Sequence, residues 1–396
     1  MNILTISTLY NKGGAAYIAK TLHSGLKEEG FNSKYLVGYG KRGLKENLID
    51  KDFIFSRYIF PIIPHINLFF HKIIGKDLFS PLKKQLTKQI QSADVVICHT
   101  LHSYFINFDF LFKIFREEGK NKKIIMVAHD SWHYTGRCAF IYDCDIWKKG
   151  CEKCPNLNYY PSSLFSIAAN ERKNKINALS CIPNLIFVSP AQWICNDLKV
   201  VYPNHTIKVI RNAIETSPFE NITRNYQIRN TIQICVSAVD LSQPGKIDLV
   251  LIESLLSSGV QIHFIGKNNP FKEHGNAIDH GYVSDREKYI DILTKVDCYL
   301  FSSSIDIYPT VLVDALCVGN FVFYTKSKGA LEIMEAENSW LGKRIQNSLE
   351  IVDALSSGNF IDIIKNEDLR EVKRNSALSF YNKTRMVEEY TKLFNN

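Results

Sequence analysis

The chain has no run of uncharged apolar residues long enough to span a bilayer, so a helical membrane-spanning protein is excluded. It has no repeat at the periods of solenoids or propellers and no low-complexity tract, so arrays and compositionally biased tails are excluded as well. Its start, Met1 to Thr8, lacks the basic segment and cleavage site of a secretory signal and reads instead as a first strand. A cytosolic chain is therefore expected, with its ten cysteines reduced rather than bridged. A third glycine is also missing from Gly13-Gly14-Ala15-Ala16, which follows that strand. Without the full dinucleotide fingerprint, a nicotinamide or flavin cofactor is poorly supported.

What is present is an ordinary globular composition, 396 residues with 45% hydrophobic and 22% charged, enough for two domains. The net charge of +8 favours anionic partners: nucleotide phosphates, anionic lipid surfaces or nucleic acid. Short β-rich runs alternate with helical patterns along the first half, and the alternation restarts near residue 232. Such alternation predicts an α/β protein with two parallel sheets, each covered on both faces. The expected boundaries are 1–215 and 216–376, with a polar linker over 215–229 and an amphipathic C-terminal helix over 377–396 that packs back on the first domain. In open parallel sheets, ligands bind at the carboxyl ends of the strands.

The most informative stretch is Asp306-Ile-Tyr308-Pro309-Thr310-Val311-Leu-Val-Asp314, followed by Gly319. It reads as a strand end, a short loop and a helix, with Pro309 at the first helical position and Gly319 just past the last. Free N–H groups at such a helix start bind phosphate oxygens. Two carboxylates flank them, suited to a sugar hydroxyl and a ribose. Lys246 follows the first strand of the second half, where an ammonium can neutralise a diphosphate; a solvated surface lysine is the plainer reading. The Gly13-Gly14 turn either approaches a phosphate or sugar closely or is only a tight strand-to-helix turn. His102 and His129 each follow a short apolar strand and can hydrogen-bond a sugar or transfer a proton, or else be satisfied by a neighbour. No protein nucleophile stands out.

Cys138, Cys144, Cys151 and Cys154 crowd one loop. The closing C-x-x-C is half of a tetrahedral structural zinc site; packed free thiols and disulfides are the alternatives. Residues 53–79 are apolar and aromatic with Arg57, Lys72 and Lys76 interspersed, and Pro61 and Pro64 rule out one continuous helix. The segment reads as a membrane-interface element or as an excursion packed on its own domain. Nothing else in the chain supports nucleic-acid binding. Asp-x-Asp occurs at Asp50–Asp52 and Asp143–Asp145, but neither follows a strand of the second half.

The block His129-Asp-Ser-Trp132, Thr135-Gly136, Cys138, Cys144, Trp147, Gly150-Cys151, Cys154-Pro155 resembles a signature of bacterial polysaccharide enzymes within glycosyltransferase family 4. Gly266, Gly281-Tyr-Val283 and Asp297 to Asp314 resemble the donor-binding half of that family, and the likeness runs over nearly the whole chain. The resemblance implies a GT-B fold and transfer of a sugar, with retention, from a nucleotide diphosphate donor to a growing polysaccharide or lipopolysaccharide, lipid-linked at the cytosolic membrane face. It implies no catalytic metal. It assigns Gly13 and Gly14 to the donor diphosphate, His129 to the vicinity of the reacting sugar, Lys246 to phosphate, and Val283 to a main-chain contact with the base. It assigns Tyr308, Pro309, Thr310 and Val311 to the loop and helix start that bind phosphate. Asp306 and Asp314 stand at two family glutamates seven residues apart, for the transferred sugar and the ribose, each one methylene shorter. The arginine usual before the lysine is not evident; Asp240 lies near its place. A sugar-nucleotide epimerase of the same architecture and a non-catalytic nucleotide-sugar-binding partner are the rival readings.

Overall fold

The computed structural model describes residues 1–10, 13–39, 53–55, 63–80, 83–102, 104–142, 144–220, 222, 232–335 and 340–394. The chain separates into two compact units: Met1–Arg211 with Met386–Asn396, and Asn212–Arg385. Asp50, Asp52, Arg57, Pro61 and Asp143, and most of the expected linker, lie outside the described residues.

Unit 1 holds seven strands: β1 (Asn2–Leu9), β2 (Asn32–Tyr39), β3 (Phe53–Phe55), β4 (Val95–Cys98), β5 (Lys123–Val127), β6 (Leu185–Ser189) and β7 (Thr206–Val209). They form one sheet in the order β3-β2-β1-β4-β5-β6-β7, and every pairing is parallel. Strands β4 and β6 are buried at every position, as their continuous apolar runs require in a sheet covered on both faces. The order reverses at β1, whose two neighbours are β2 and β4. The loops after β1 and β4 therefore emerge side by side, at the reversal where such sheets bind ligands.

Unit 2 repeats the plan with β8 (Gln233–Asp240), β9 (Gln261–Lys267), β10 (Ala277–Asp279), β11 (Cys298–Phe301), β12 (Phe321–Tyr324) and β13 (Gly342–Arg344). The order is β10-β9-β8-β11-β12-β13, again wholly parallel. Its core includes Ile234, Ile252, Leu255, Phe264, Leu300 and Phe323, all essentially closed to solvent. Here the reversal lies at β8, flanked by β9 and β11.

Three expectations shift. The helix after β11 runs Thr310–Val318, with Pro309 as its extended N-cap and not its first helical residue. Gly319 does end it, at φ 81°, a left-handed conformation that glycine adopts without strain. The single C-terminal helix is two, Glu367–Phe380 and Lys383–Thr391, because Asn382 caps the second through Arg385 N. Residue 386, not 377, is where the chain rejoins unit 1. Among the described residues no helix is long and apolar enough to cross a membrane.

Candidate active site

In unit 2, β8 ends at Asp240 and the chain turns through Leu241–Lys246, with Lys246 N donating to Gln243 O at 3.1 Å. The carbonyl of Gly245 accepts from Ser304 N at 2.9 Å and Ser303 Oγ at 3.1 Å, so the loop after β8 is stitched to the loop after β11. The strand order makes this contact possible between segments about sixty residues apart in sequence. The result is an ion pair: Lys246 Nζ lies 2.6 Å from Asp306 Oδ1. The two residues singled out for phosphate and sugar thus meet.

Beside them the helix Thr310–Val318 starts without a side-chain cap. The amides of Thr310 and Val311 stand at that start, where helix N–H groups bind anions, while Leu312 N and Val313 N donate to Pro309 O. Tyr308 and Pro309 are buried, and Thr310 and Val311 are half-buried. Asp306 is held in place from behind by Gly329, where an added Cβ would stand 2.1 Å from Asp306 O. Only glycine permits that approach. Val283 is half-buried in a loop anchored by Gly266 N donating to Gly281 O at 2.9 Å.

Asp314 has a partner that the sequence did not suggest. Both of its oxygens take Arg286, Nη1 at 2.7 Å and Nη2 at 2.5 Å. Its side chain is 4% exposed, against 23% for Asp306. The guanidinium fork takes one hydrogen bond on each oxygen and fixes the carboxylate's orientation, and each oxygen keeps a further lone pair. Arg286 was missed: it lies next to the Gly281–Val283 segment, whereas an arginine was sought only beside Lys246. Near that place Asp240 bonds Ser242 N, Ser242 Oγ and Asn268 Nδ2, and these bonds hold its carboxyl below the ordinary value.

In unit 1, the loops after β1, β4 and β5 converge. Thr8 Oγ1 donates to the carbonyls of Thr100 and His102, tying β1 to β4. His102 Nε2 lies 2.6 Å from Asp130 Oδ2, and Asp130 Oδ1 accepts from Trp132 N at 3.0 Å. Burial opposes the Asp130 carboxylate, yet the attraction of His102 and these bonds hold it down to about 2. His99, singled out by no sequence argument, lies 2.8 Å through Nδ1 from His129 Nε2. Burial pushes His129 down to about 4 and His133 to about 3, so both rings are neutral near pH 7. Gly13, at φ 85°, caps the helix Gly14–Glu28, which has no side-chain cap and no acidic residue in its first turn.

Next to this cluster a pocket of about 610 Å³ is lined by Asp77, Phe108, Trp132, Glu171 and Lys175 among others. Lys175 Nζ donates to Gly136 O at 3.1 Å and stands 4.0 Å from the Trp132 ring centroid. Burial lowers its pKa to about 7.

The four cysteines expected at a zinc site come to one place. Cys138, Cys144, Cys151 and Cys154 do line one apolar pocket of about 370 Å³. Among the described residues, however, no three His, Cys, Asp or Glu side chains are grouped to hold a metal ion. Burial pushes the Cys138 thiol up to about 11 and raises Cys151. Arg137 Nη2, a cation, sits 3.4 Å from Cys154 Sγ.

Two parallel Rossmann-like sheets, one carrying a lysine–aspartate pair at an uncapped helix start, are the architecture of the GT-B class. The comparisons agree. No family model matches the chain. It is 31% identical, over the full length of both, to the Escherichia coli K12 protein named "Putative colanic acid biosynthesis glycosyl transferase WcaC". Its fold is similar to Anabaena Alr3699/HepE in complex with UDP, at TM-score 0.65, 12% identity and 100% coverage of both chains. It is similar also to WaaG, a glycosyltransferase involved in lipopolysaccharide biosynthesis, at TM-score 0.64, 12% identity and 100% of both chains. TarM matches at TM-score 0.66 and 12% identity, over 100% of this chain and 99% of that one. The chain belongs to the glycosyltransferase family that includes the colanic acid relative.

Proposed function

We propose that this enzyme moves a sugar from a nucleotide diphosphate donor to a growing cell-surface polysaccharide or lipopolysaccharide, with retention of anomeric configuration. The observation that carries the reading is the 2.6 Å pair of Lys246 and Asp306 beside an uncapped helix start. The donor diphosphate takes the Lys246 ammonium and the amides of Thr310 and Val311, and Asp306 turns to a hydroxyl of the transferred sugar. As the bond from the anomeric carbon to the diphosphate oxygen breaks, the acceptor hydroxyl adds from the same face. Its proton passes to the departing phosphate oxygen. Fixed positive charge aimed at the leaving group lowers the barrier without reorganisation. These groups supply the charge a catalytic divalent metal would otherwise supply, so chelator should leave turnover unchanged. The colanic acid relative and the UDP-bound neighbour favour a nucleotide sugar and a polysaccharide product.

A membrane-side acceptor is supported by one surface. Phe69, Leu164 and Phe165 are exposed, and Leu164 N donates to Lys72 O, which joins the two segments. Exposed aromatic and aliphatic side chains beside Lys72 and Lys76 suit an anionic bilayer interface. Sedimentation with anionic vesicles should recover the protein, and Phe69→Ser with Phe165→Ser should reduce recovery.

The deciding experiment is transfer from a panel of nucleotide diphosphate sugars. Asp306→Ala should cut turnover roughly a hundredfold or more while leaving nucleotide binding intact. Full turnover in that variant would end the proposal, and product released without an acceptor would favour an epimerase.

A further inference from the structure

The contact between His99 and His129 carries one step more. Strands β4 and β5 are parallel neighbours, with Cys98 opposite Met126, so the residues leaving their carboxyl ends stack. The two imidazoles lie 5.0 Å apart at 18°, joined by the 2.8 Å contact between His99 Nδ1 and His129 Nε2. His99 N donates to Ile6 O at 2.9 Å, which fixes its backbone. A single proton occupies the contact between the rings. His99 is fully buried, and its Nε2 has no partner among the described residues.

If His129 supplied the proton, neutral His99 would carry its own hydrogen on Nε2, as a buried donor with no acceptor. Such a group costs on the order of 1–3 kcal/mol. If His99 supplies it, the orphan is only a lone pair, the more tolerable defect. Burial keeps both rings neutral, with His99 well below its ordinary value, so no second proton intervenes.

We propose that His99 sets the tautomer of His129: His99 Nδ1–H donates to His129 Nε2, and His129 carries its proton on Nδ1. No described residue accepts from that Nδ1, and His129 is only half-buried. His129 is then a hydrogen-bond donor to an oxygen of the saccharide, and it is not a base at that edge. The inference rests on the proposed sugar-facing role of His129 only for its consequence in turnover. His99 is a positioning residue.

The test is long-range ¹H–¹⁵N correlation on the full chain labelled at histidine. His129 should show a protonated Nδ1 and a bare Nε2; the opposite pattern overturns the inference. In His99→Phe the donor is gone, and His129 should mix tautomers while turnover falls about tenfold or more. His99→Asn, whose amide nitrogen replaces Nδ1, should restore the single tautomer and most of the turnover. An unchanged His129 spectrum in His99→Phe would sink the idea. Should that variant not fold, the unaltered chain and His99→Asn still decide. A tautomer shift without loss of turnover would uphold the inference and instead remove His129 from the sugar.

Discussion

Units 1 and 2 place loops at the same position, the reversal of strand order, but arm them differently. In unit 1 the converging groups are the neutral imidazoles of His129 and His133, with His102 on a buried carboxylate. In unit 2 they are ion pairs, Lys246–Asp306 and Arg286–Asp314, at an uncapped helix. A neutral ring recognises a hydroxyl by direction; an ammonium holds phosphate by charge. The proposed transfer calls for both, a hydroxyl-bearing acceptor and a diphosphate donor.

The sharpest way to separate the units is acid. Folded His129 binds a proton only near pH 4, whereas an unfolded imidazole does so near 6.5. Between those values the unfolded chain holds more protons, so stability is full above about pH 6.5 and is lost as pH falls towards 4. His129 alone accounts for roughly 3 kcal/mol, an order-of-magnitude figure. His133 adds to the same loss, extending it towards pH 3. With Trp340 of unit 2 changed to phenylalanine, the remaining tryptophans at 132, 147 and 193 report on unit 1 alone. Their emission should show unit 1 loosening across that window, and an unchanged signal down to pH 4 would contradict the neutral-ring picture.

Next in size is Arg286→Ala, which strands a buried Asp314 carboxylate and should cost about 3 kcal/mol in denaturant unfolding. Removing both charges, with Arg286→Met and Asp314→Leu, should recover much of it. Lys246→Ala should weaken nucleoside diphosphate binding roughly tenfold, read by calorimetry, and flatten its dependence on salt. The corresponding salt dependence should be absent from binding of a neutral saccharide. The smallest effect belongs to Lys383→Met, which removes the partly exposed pair with Glu215 and should change stability by about 1 kcal/mol or less.

Long apolar runs such as Val95–Cys98, Lys123–Val127 and Phe321–Tyr324 announced their strands because sheets covered on both faces need them. The three-residue strands β3, β10 and β13 did not, being too short to carry a period. Lys246, Asp306 and the helix start were legible from their place after strands. What escaped were partners supplied by tertiary contact. Arg286 meets Asp314 across 28 positions of sequence, and His99 meets His129 only because β4 and β5 are neighbours. A signal did exist for His99, since it follows β4 much as His129 follows β5. In the cysteine loop, spacing announced that four thiols would share one pocket, but it could not reveal that Arg137 would stand beside Cys154.

The Lys246–Asp306 pair has a consequence for life in a crowded electrolyte. With its counterion already built in, the resting ammonium offers little to chloride or inorganic phosphate, which must outcompete a carboxylate tethered at contact distance. A ligand wins only by bringing several charges and a sugar hydroxyl for Asp306 at once, so the pair discriminates against the abundant small anions of the cell.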